Sequence, residues 1–354
     1  MNLKKSFWRN PAIAIALTGL LGWLPGPQRV NAGGTAAEFR GRAVVVAGAV
    51  VGVPVTICDT GSLPASGGAL QASLLQQSIP GVLAIEVCHA ATIGQGDMTS
   101  SEASAGSVRI NVGLNFSLSA DAVISRAMAT CCSPGPSVSA CSEIAGLVIN
   151  GQAISVTGQA NQTILLPNGK VIVNEQIASL TADTADMTCN ALHVVINGAA
   201  DIVLSSAYAG ITCAGETPPG GGTPPPECGD FVTGGGWITG TPSGAKANFG
   251  VAGGIKDGAF WGHLNYIDHG NGMHVKATAV TGYEVDPADA DCRIISYNVT
   301  IDGTPGTARV RACDKGEPGR DDMFEIALSN GYQAGGDLGG SRPGGGNIQL
   351  HKCN

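Results

Sequence analysis

The sequence predicts an all-β protein built as two antiparallel β-sandwich-like domains. Three observations lead there. Apolar and polar residues alternate with period two through several long runs, the mark of half-buried strands. Three Asn-Gly pairs, Asn150-Gly151, Asn168-Gly169 and Asn197-Gly198, sit between β-branched runs such as "LVINGQAISV" and "ILLPNGKVIV". Asn-Gly tolerates the positive φ of a tight hairpin turn. The composition, with 53 glycines, 13% charged and 5% aromatic residues, is poor in helix signals and rich in turn formers.

The chain opens on a basic stretch (Lys4, Lys5, Arg9), an apolar run from Ala12 to Leu24 and a small-residue cut site at Val30–Ala32. That pattern predicts a secretory signal peptide over residues 1–32. The apolar run falls short of the ~20 residues that span a bilayer. The expectation is therefore an extracellular or cell-surface protein with no transmembrane anchor once the signal is removed. The full chain carries 19 basic and 27 acidic residues. Lys4, Lys5, Arg9 and Arg29 leave with the signal, so 15 basic against 27 acidic residues give the remainder a net charge of −12. Such a charge argues against nucleic acid and anionic membranes as partners.

Residues 33–213 read as the first domain. "ALQASLLQQSI" reads as one short helix. In "VRINVGLNFSL" the apolar set Val108, Ile110, Val112, Leu114, Phe116 and Leu118 shares one face of a single strand. Ala214 to Glu227, "AGETPPGGGTPPPE", is a Pro/Gly linker that cannot bury a core. Residues 228–354 read as the second domain. In "HVKATAVTGYEV" one face carries Val275, Ala277, Ala279, Tyr283 and Val285. In "IISYNVTI" it carries Ile295, Tyr297, Val299 and Ile301, and in "MFEIALSNGY" Phe324, Ile326 and Leu328.

Eleven cysteines in an exported chain read as a disulfide framework. The candidates are Cys58, Cys88, Cys132, Cys141, Cys189, Cys213, Cys228, Cys292, Cys313 and Cys353. Seven precede the linker, so one is left over, and Cys131, adjacent to Cys132, is the expected odd thiol. Cys292 and Cys313 flank a strand and its return strand and would staple a hairpin. Cys228 and Cys353, if paired, would close a loop worth roughly 4–5 kcal/mol in the chain-entropy account.

Several stretches resemble known exported proteins. "LVINGQAISV", "VIVNEQ" (Val171–Gln176), "NALHVVI" (Asn190–Ile196) and "DIVLSSAYAGITC" resemble the choice-of-anchor P family of exported bacterial proteins. "FVTGGGWI", "WGHLNYIDH", "GEPGRDDMFEIALSNGY" and "GGNIQLHK" are similar to the module that commonly follows that domain. The resemblance implies a surface ectodomain and supplies no catalytic residues. The chain ends at "HKCN" without an LPxTG-like motif, which departs from the anchored members and favours a freely secreted or non-covalently held protein.

Candidate chemistry is sparse. No HExxH and no G-x-S-x-G occur. His263 and His269 lie about 20 Å apart on a straight strand, and a bend is needed to gather Asp268, His269 and His274. Glu175 in "VNEQ" is expected on the core-leaning face of Val171 and Val173, where it must be paired, bonded or protonated. Glu317, Asp321 and Asp322 in "GEPGRDDMFEI" are the metal candidates. With Asp314 they can supply several of the six to eight oxygens calcium takes. The plainer alternative is a Pro318-Gly319 turn with Asp321 or Asp322 accepting backbone amides.

The preferred expectation is a secreted, non-enzymatic surface or extracellular-matrix module serving adhesion, envelope architecture or ligand binding, with a cell-surface polymer or another surface protein as partner. It needs no cofactor, calcium being the one candidate ion. One alternative is a calcium- or carbohydrate-binding module using an exposed Trp237 or Trp261. Another is a hydrolase of extracellular polymers, which requires Glu175 or the loop acids to meet a second carboxylate.

Overall fold

The computed structural model describes residues 36–113, 115–132, 135–214, 229–256, 258–317, 319–340 and 345–352. The signal-peptide segment, nearly all of the linker, Leu114, Pro318, Cys228 and Cys353 lie outside them. The described chain is all-β. Its strands are β1 (Ala36–Val50), β2 (Val53–Asp59), β3 (Gly68–Ile79), β4 (Leu83–Gln95), β5 (Met98–Val112), β6 (Phe116–Thr130) and β7 (Ser137–Ala145). Next come β8 (Val148–Ile149), β9 (Gln152–Ala153), β10 (Gln162–Leu166), β11 (Gly169–Leu180), β12 (Thr184–Ile196) and β13 (Ala200–Cys213). After the linker follow β14 (Phe231–Ile238), β15 (Ala247–Lys256), β16 (Ala259–Asp268), β17 (Met273–Asp286) and β18 (Asp289–Ile301). The last are β19 (Thr304–Cys313), β20 (Met323–Leu328), β21 (Gln333–Asp337) and β22 (Gly346–His351).

These strands form three antiparallel sheets. The first has the order β10-β11-β12-β13-β1-β2. The second runs β3-β4-β5-β6-β8-β9, with β7 also paired to β6. The third runs β21-β20-β19-β18-β17-β16-β15-β14-β22. The first two sheets pack face to face as a sandwich. Val46, Val171, Val173, Leu192, Val194, Ile202 and Leu204 meet Ile85, Val108, Ile110, Phe116, Leu118 and Val123 between them. The third sheet curls over its own core of Phe249, Tyr266, Tyr297 and Phe324. Phe249 stacks on Phe324 at 3.9 Å between ring centroids. Its two ends approach each other, Gly335 donating to Gly240 O and Gly339 to Trp237 O.

The two halves of the chain are not separate bodies, since Gly33–Asn354 cluster as one compact unit. The outer face of β14–β16 lies on the outer face of β3–β5, so the second sheet is covered on both sides. Glycine and serine permit this close approach. A Cβ added at Gly235 would stand 2.8 Å from Ser104 Oγ, and one at Gly250 would stand 3.2 Å from His89 Cβ. Gly235→Val should therefore cost about 1–3 kcal/mol by overpacking. A lowered urea midpoint with unchanged slope is the expected readout.

Three local expectations are corrected. "ALQASLLQQSI" is strand β3, not a helix, because pairing with β4 along eleven positions overrides its helix-forming residues. "VRINVGLNFSL" is two strands, not one. Gly113, at φ +61°, turns the chain so that Val112 pairs Phe116. In β17 the register shifts between Ala277 and Ala279 and again between Val280 and Gly282. Each bulge re-aims the following side chains. Ala277 and Tyr283 pack on the core as the alternation predicts and Val280 joins them, while Ala279 and Val285 are exposed.

Of the Asn-Gly pairs, Asn150-Gly151 has both residues at positive φ between Ile149 and Gln152. At Asn168-Gly169 the turn is shifted by one residue, because Gly169 already pairs Leu166. Asn197-Gly198 lies in the turn that closes on the Ile196–Ala200 pair.

Candidate functional site: a sealed charge cluster beside an open polar face

The second and third sheets meet across polar side chains. Strand register places Glu102 of β5 opposite Arg126 of β6, and β14 lays Thr233 over them. Glu102 Oε2 accepts from Arg126 Nε at 2.7 Å and from Thr233 Oγ1 at 2.8 Å. Thr233 thus spends its only proton on the carboxylate. His351 Nε2, 3.0 Å from Thr233 Oγ1, must then be the donor in that contact. His89 Nε2 lies 3.6 Å from Glu102 Oε1, and its ring rests 3.9 Å from that of His263. His263 Nδ1 bonds Gln71 Oε1 at 3.1 Å. Glu102 is only 2% exposed and His89 fully buried.

The electrostatics follow from this enclosure. Burial would raise the Glu102 carboxyl, but the Arg126 charge and His89 outweigh it and hold it far below the ordinary carboxylate range. Burial opposes the Arg126 charge, and Glu102 overrides it and keeps it protonated. Burial pushes His263 well below the ordinary histidine value and His351 down to about 4. At the margin of the cluster, burial pushes the Glu143 carboxyl up to about 8, so it keeps a proton at neutral pH.

A depressed histidine is neutral in the folded chain and takes a proton first when unfolded, so its contribution to stability falls as pH drops. For His351 the window runs from about 6.5 down to about 4, at about 1.4 kcal/mol per pH unit. The destabilisation caused by His351→Gln is accordingly expected to shrink as pH falls through that window. Denaturant unfolding of both proteins at intervals from pH 7 to 4.5 checks it.

More contacts tie the same two sheets. Lys246 Nζ reaches Asp121 at 3.1 Å, Asn248 reaches Glu86 at 3.0 Å and His269 reaches Glu86 at 3.1 Å. Asn265 bonds Ser73. The cluster is therefore the centre of a polar seam, closed on both sides by strand backbone.

The acidic turn lies at the edge of this seam, and its three carboxylates diverge. Asp322 is fully buried. It accepts the Lys315 amide on Oδ1 and the Ile348 amide on Oδ2, each at 2.7 Å. Burial still pushes its carboxyl up to about 6, against those two bonds. Glu317 is 3.7 Å from Arg126 and accepts from Asn347 at 2.7 Å. Asp321 points to solvent. Asp314 accepts the Gly316 and Leu350 amides. Among the described residues, no group of three or more His, Cys, Asp and Glu is placed to hold a metal ion. Asp322→Ala should cost about 1–3 kcal/mol by orphaning two buried amides. Melting in calcium and in EDTA should expose the same loss in both buffers.

Glu175 is turned away from the core, against expectation. Asn174 adopts φ +54° and is itself buried, which reverses the faces of β11 beyond it. Glu175 accepts from Asn190 at 2.7 Å and sits 3.0 Å from His193 Nδ1, whose Nε2 is 2.9 Å from Asp201. Burial lowers the basicity of His193, and the two carboxylates more than restore it, leaving it raised. Both ring nitrogens are committed, so the trio is a lock between β11, β12 and β13.

Trp237 is 7% exposed beneath Lys246, whose Nζ is 5.0 Å from the ring. Trp261 is half-buried against Phe231. Asp268 is buried and accepts from Tyr332 and the Gly270 amide.

Among the cysteines, Cys292 and Cys313 are bonded across the β18–β19 hairpin, as their flanking positions suggest. Cys131 is not the odd thiol. It is bonded to Cys213, because the end of β6 and the end of β13 lie on facing sheets, and it is Cys132 that is left exposed.

Among the described residues, one open surface with recessed polar groups is the outer face of β18–β21. One depression is lined by Arg309, Arg311, Glu325 and Gln333. Its neighbour is lined by Thr281, Ser296, Thr307, Ser329 and the same Arg309. Arg311 is engaged by Asp286, Asp289 and Glu325. Among the described residues, no carboxylate lies within ion-pair distance of Arg309.

No family model, curated protein or solved structure matches the chain. Nor is any described helix long and apolar enough to cross a membrane.

Neither Glu102 nor Arg126 stands out in the sequence reading. The available signal was that each is a charge in a run of small and apolar residues, "TSSEASAG" and "AVISRAMA", where a charge must find a partner.

Proposed function

We propose that the chain is an exported, non-enzymatic surface or matrix module of the kind the choice-of-anchor P resemblance implies. It acts as a rigid β body whose outer β18–β21 face meets a hydroxyl-rich or acidic cell-surface polymer. One observation carries the reading. The buried acid–base groups Glu102, Arg126, His89 and His351 are sealed against one another inside the seam, away from the open depressions, whose polar lining is Arg309, Arg311, Glu325, Gln333 and a set of serine and threonine hydroxyls. General acid–base chemistry needs a group within reach of a substrate proton, and the seam offers no such approach. Hydroxyl, amide and guanidinium groups over a β face instead suit recognition of a polar polymer.

The test incubates the oxidised chain from Gly33 with insoluble envelope polysaccharides and whole bacterial cells, and scores both retention and released fragments. Retention that Arg309→Ala weakens severalfold, with no soluble fragments, is expected. Progressive release of oligosaccharide would overturn the non-enzymatic reading, and retention indifferent to Arg309 would overturn the assigned face.

A further inference from the structure

The bonded pair Cys131–Cys213 joins the end of β6 in the second sheet to the end of β13 in the first. Two more cysteine pairs straddle the same two sheets. Cys58 on β2 belongs to the first sheet and Cys88 on β4 to the second, and both are buried in the shared core. Strand β2 packs against β4 there, so the two cysteines share one part of that core. Cys88 Sγ also contacts Leu74 O at 3.6 Å. Cys189 on β12 belongs to the first sheet and Cys141 on β7 to the second. Cys189 Sγ lies 3.2 Å from the carbonyl oxygen of Cys141. Two such juxtapositions by accident are a poor account of these four cysteines, of which Cys58, Cys88 and Cys189 are buried and Cys141 is exposed, in a chain that already carries one such bolt.

The geometry points to two further disulfides, Cys58–Cys88 and Cys141–Cys189, which with Cys131–Cys213 bolt the two sheets of the N-terminal sandwich together at three places. Each forms when one thiolate attacks a disulfide-bearing oxidant, such as an oxidoreductase or oxidised glutathione. The partner thiolate then displaces that oxidant from the mixed disulfide. Each bridge gives up two protons and two electrons, and the oxidant leaves as its dithiol or as two thiols. Cys132 is the residue left without a partner in this map. It is exposed, with its thiol 3.0 Å from Gly135 O. The expectation of an oxidising compartment rests on the export reading, so the test supplies the oxidant itself.

Protein refolded in a glutathione redox buffer is acid-quenched, blocked with a maleimide in denaturant without reductant, and mapped by mass spectrometry. Linked peptides Cys58–Cys88 and Cys141–Cys189, each lighter by two hydrogens than the reduced pair, together with blocked Cys132, are expected. Native protein should take up maleimide at Cys132 before unfolding. Blocking of Cys58, Cys88, Cys141 or Cys189 without reductant would overturn the map, as would a Cys132–Cys141 link. Because the wild-type chain is mapped directly, the result does not depend on whether serine variants fold. Because oxidant is added, it does not depend on where the protein resides.

Discussion

Arg126→Met is expected to lower the unfolding free energy by about 3–5 kcal/mol, since it strands the Glu102 carboxylate in a seam that excludes water. Glu102 has two hydrogen-bond donors there, Arg126 at 2.7 Å and Thr233 at 2.8 Å. One hydroxyl cannot compensate a buried charge. Adding Glu102→Gln to Arg126→Met should recover a large part of the loss, because the pair is then removed with its charges. Guanidinium unfolding at pH 7 of the parent, both single variants and the double variant gives the coupling directly. Lys352→Met is the comparison. Its partner Asp291 is 3.5 Å away and both side chains are more than half exposed, so no measurable change is expected. Equal effects at the two places would mean that the seam is wet.

The second large effect is expected from Cys131→Ala/Cys213→Ala. This bridge spans 82 residues of sequence, against 21 for Cys292–Cys313. Loop-closure entropy ranks the two removals at about 4 and about 3 kcal/mol. The longer bridge also joins separate sheets, whereas the shorter one reinforces a hairpin already paired from Cys292↔Cys313 to Ile301↔Thr304. Calorimetric midpoints of the oxidised proteins should therefore fall further for the 131–213 variant. The reverse order would show that the hairpin, rather than the sheet-to-sheet bolt, limits stability.

Much of this architecture is written in local patterns. The alternation of Ile295, Tyr297 and Val299, and of Phe324, Ile326 and Leu328, survives intact in the core because β18 from Arg293 onward and β20 pair without a bulge of their own. Asn150-Gly151 turns where its chemistry demands. The two misassigned faces share one cause, which is that a single residue can exchange the faces of a strand. Asn174 in its left-handed conformation turns Glu175 outward, and the bulges of β17 expose Ala279 and Val285 and bring Val280 into the core set beside the expected Ala277 and Tyr283. Neither event changes composition or spacing.

The seam was illegible for a different reason. Strands β4 and β5 are buried almost throughout although they read "HAATIGQ" and "MTSSEASAG". Small and hydroxylated residues mark an exposed face in a two-layer sandwich. Here the third sheet covers that face, and smallness serves close approach. Only the contact between distant parts of the chain distinguishes the two meanings. For the same reason Glu317 was legible as an acid in a turn but not as a neighbour of Arg126.

The halves before and after the linker form one body closed over the charge cluster. Lys246 and Asp121 test it most directly. They lie on opposite sides of the seam, 3.1 Å apart and partly accessible. Treating the monomeric oxidised protein with a water-soluble carbodiimide, which joins only amines and carboxylates in contact, should yield a Lys246–Asp121 amide detectable as a cross-linked peptide pair. Carbodiimide modification of Asp121 with cross-links confined to residues on one side of the linker would contradict the claim, and the two halves would then move independently.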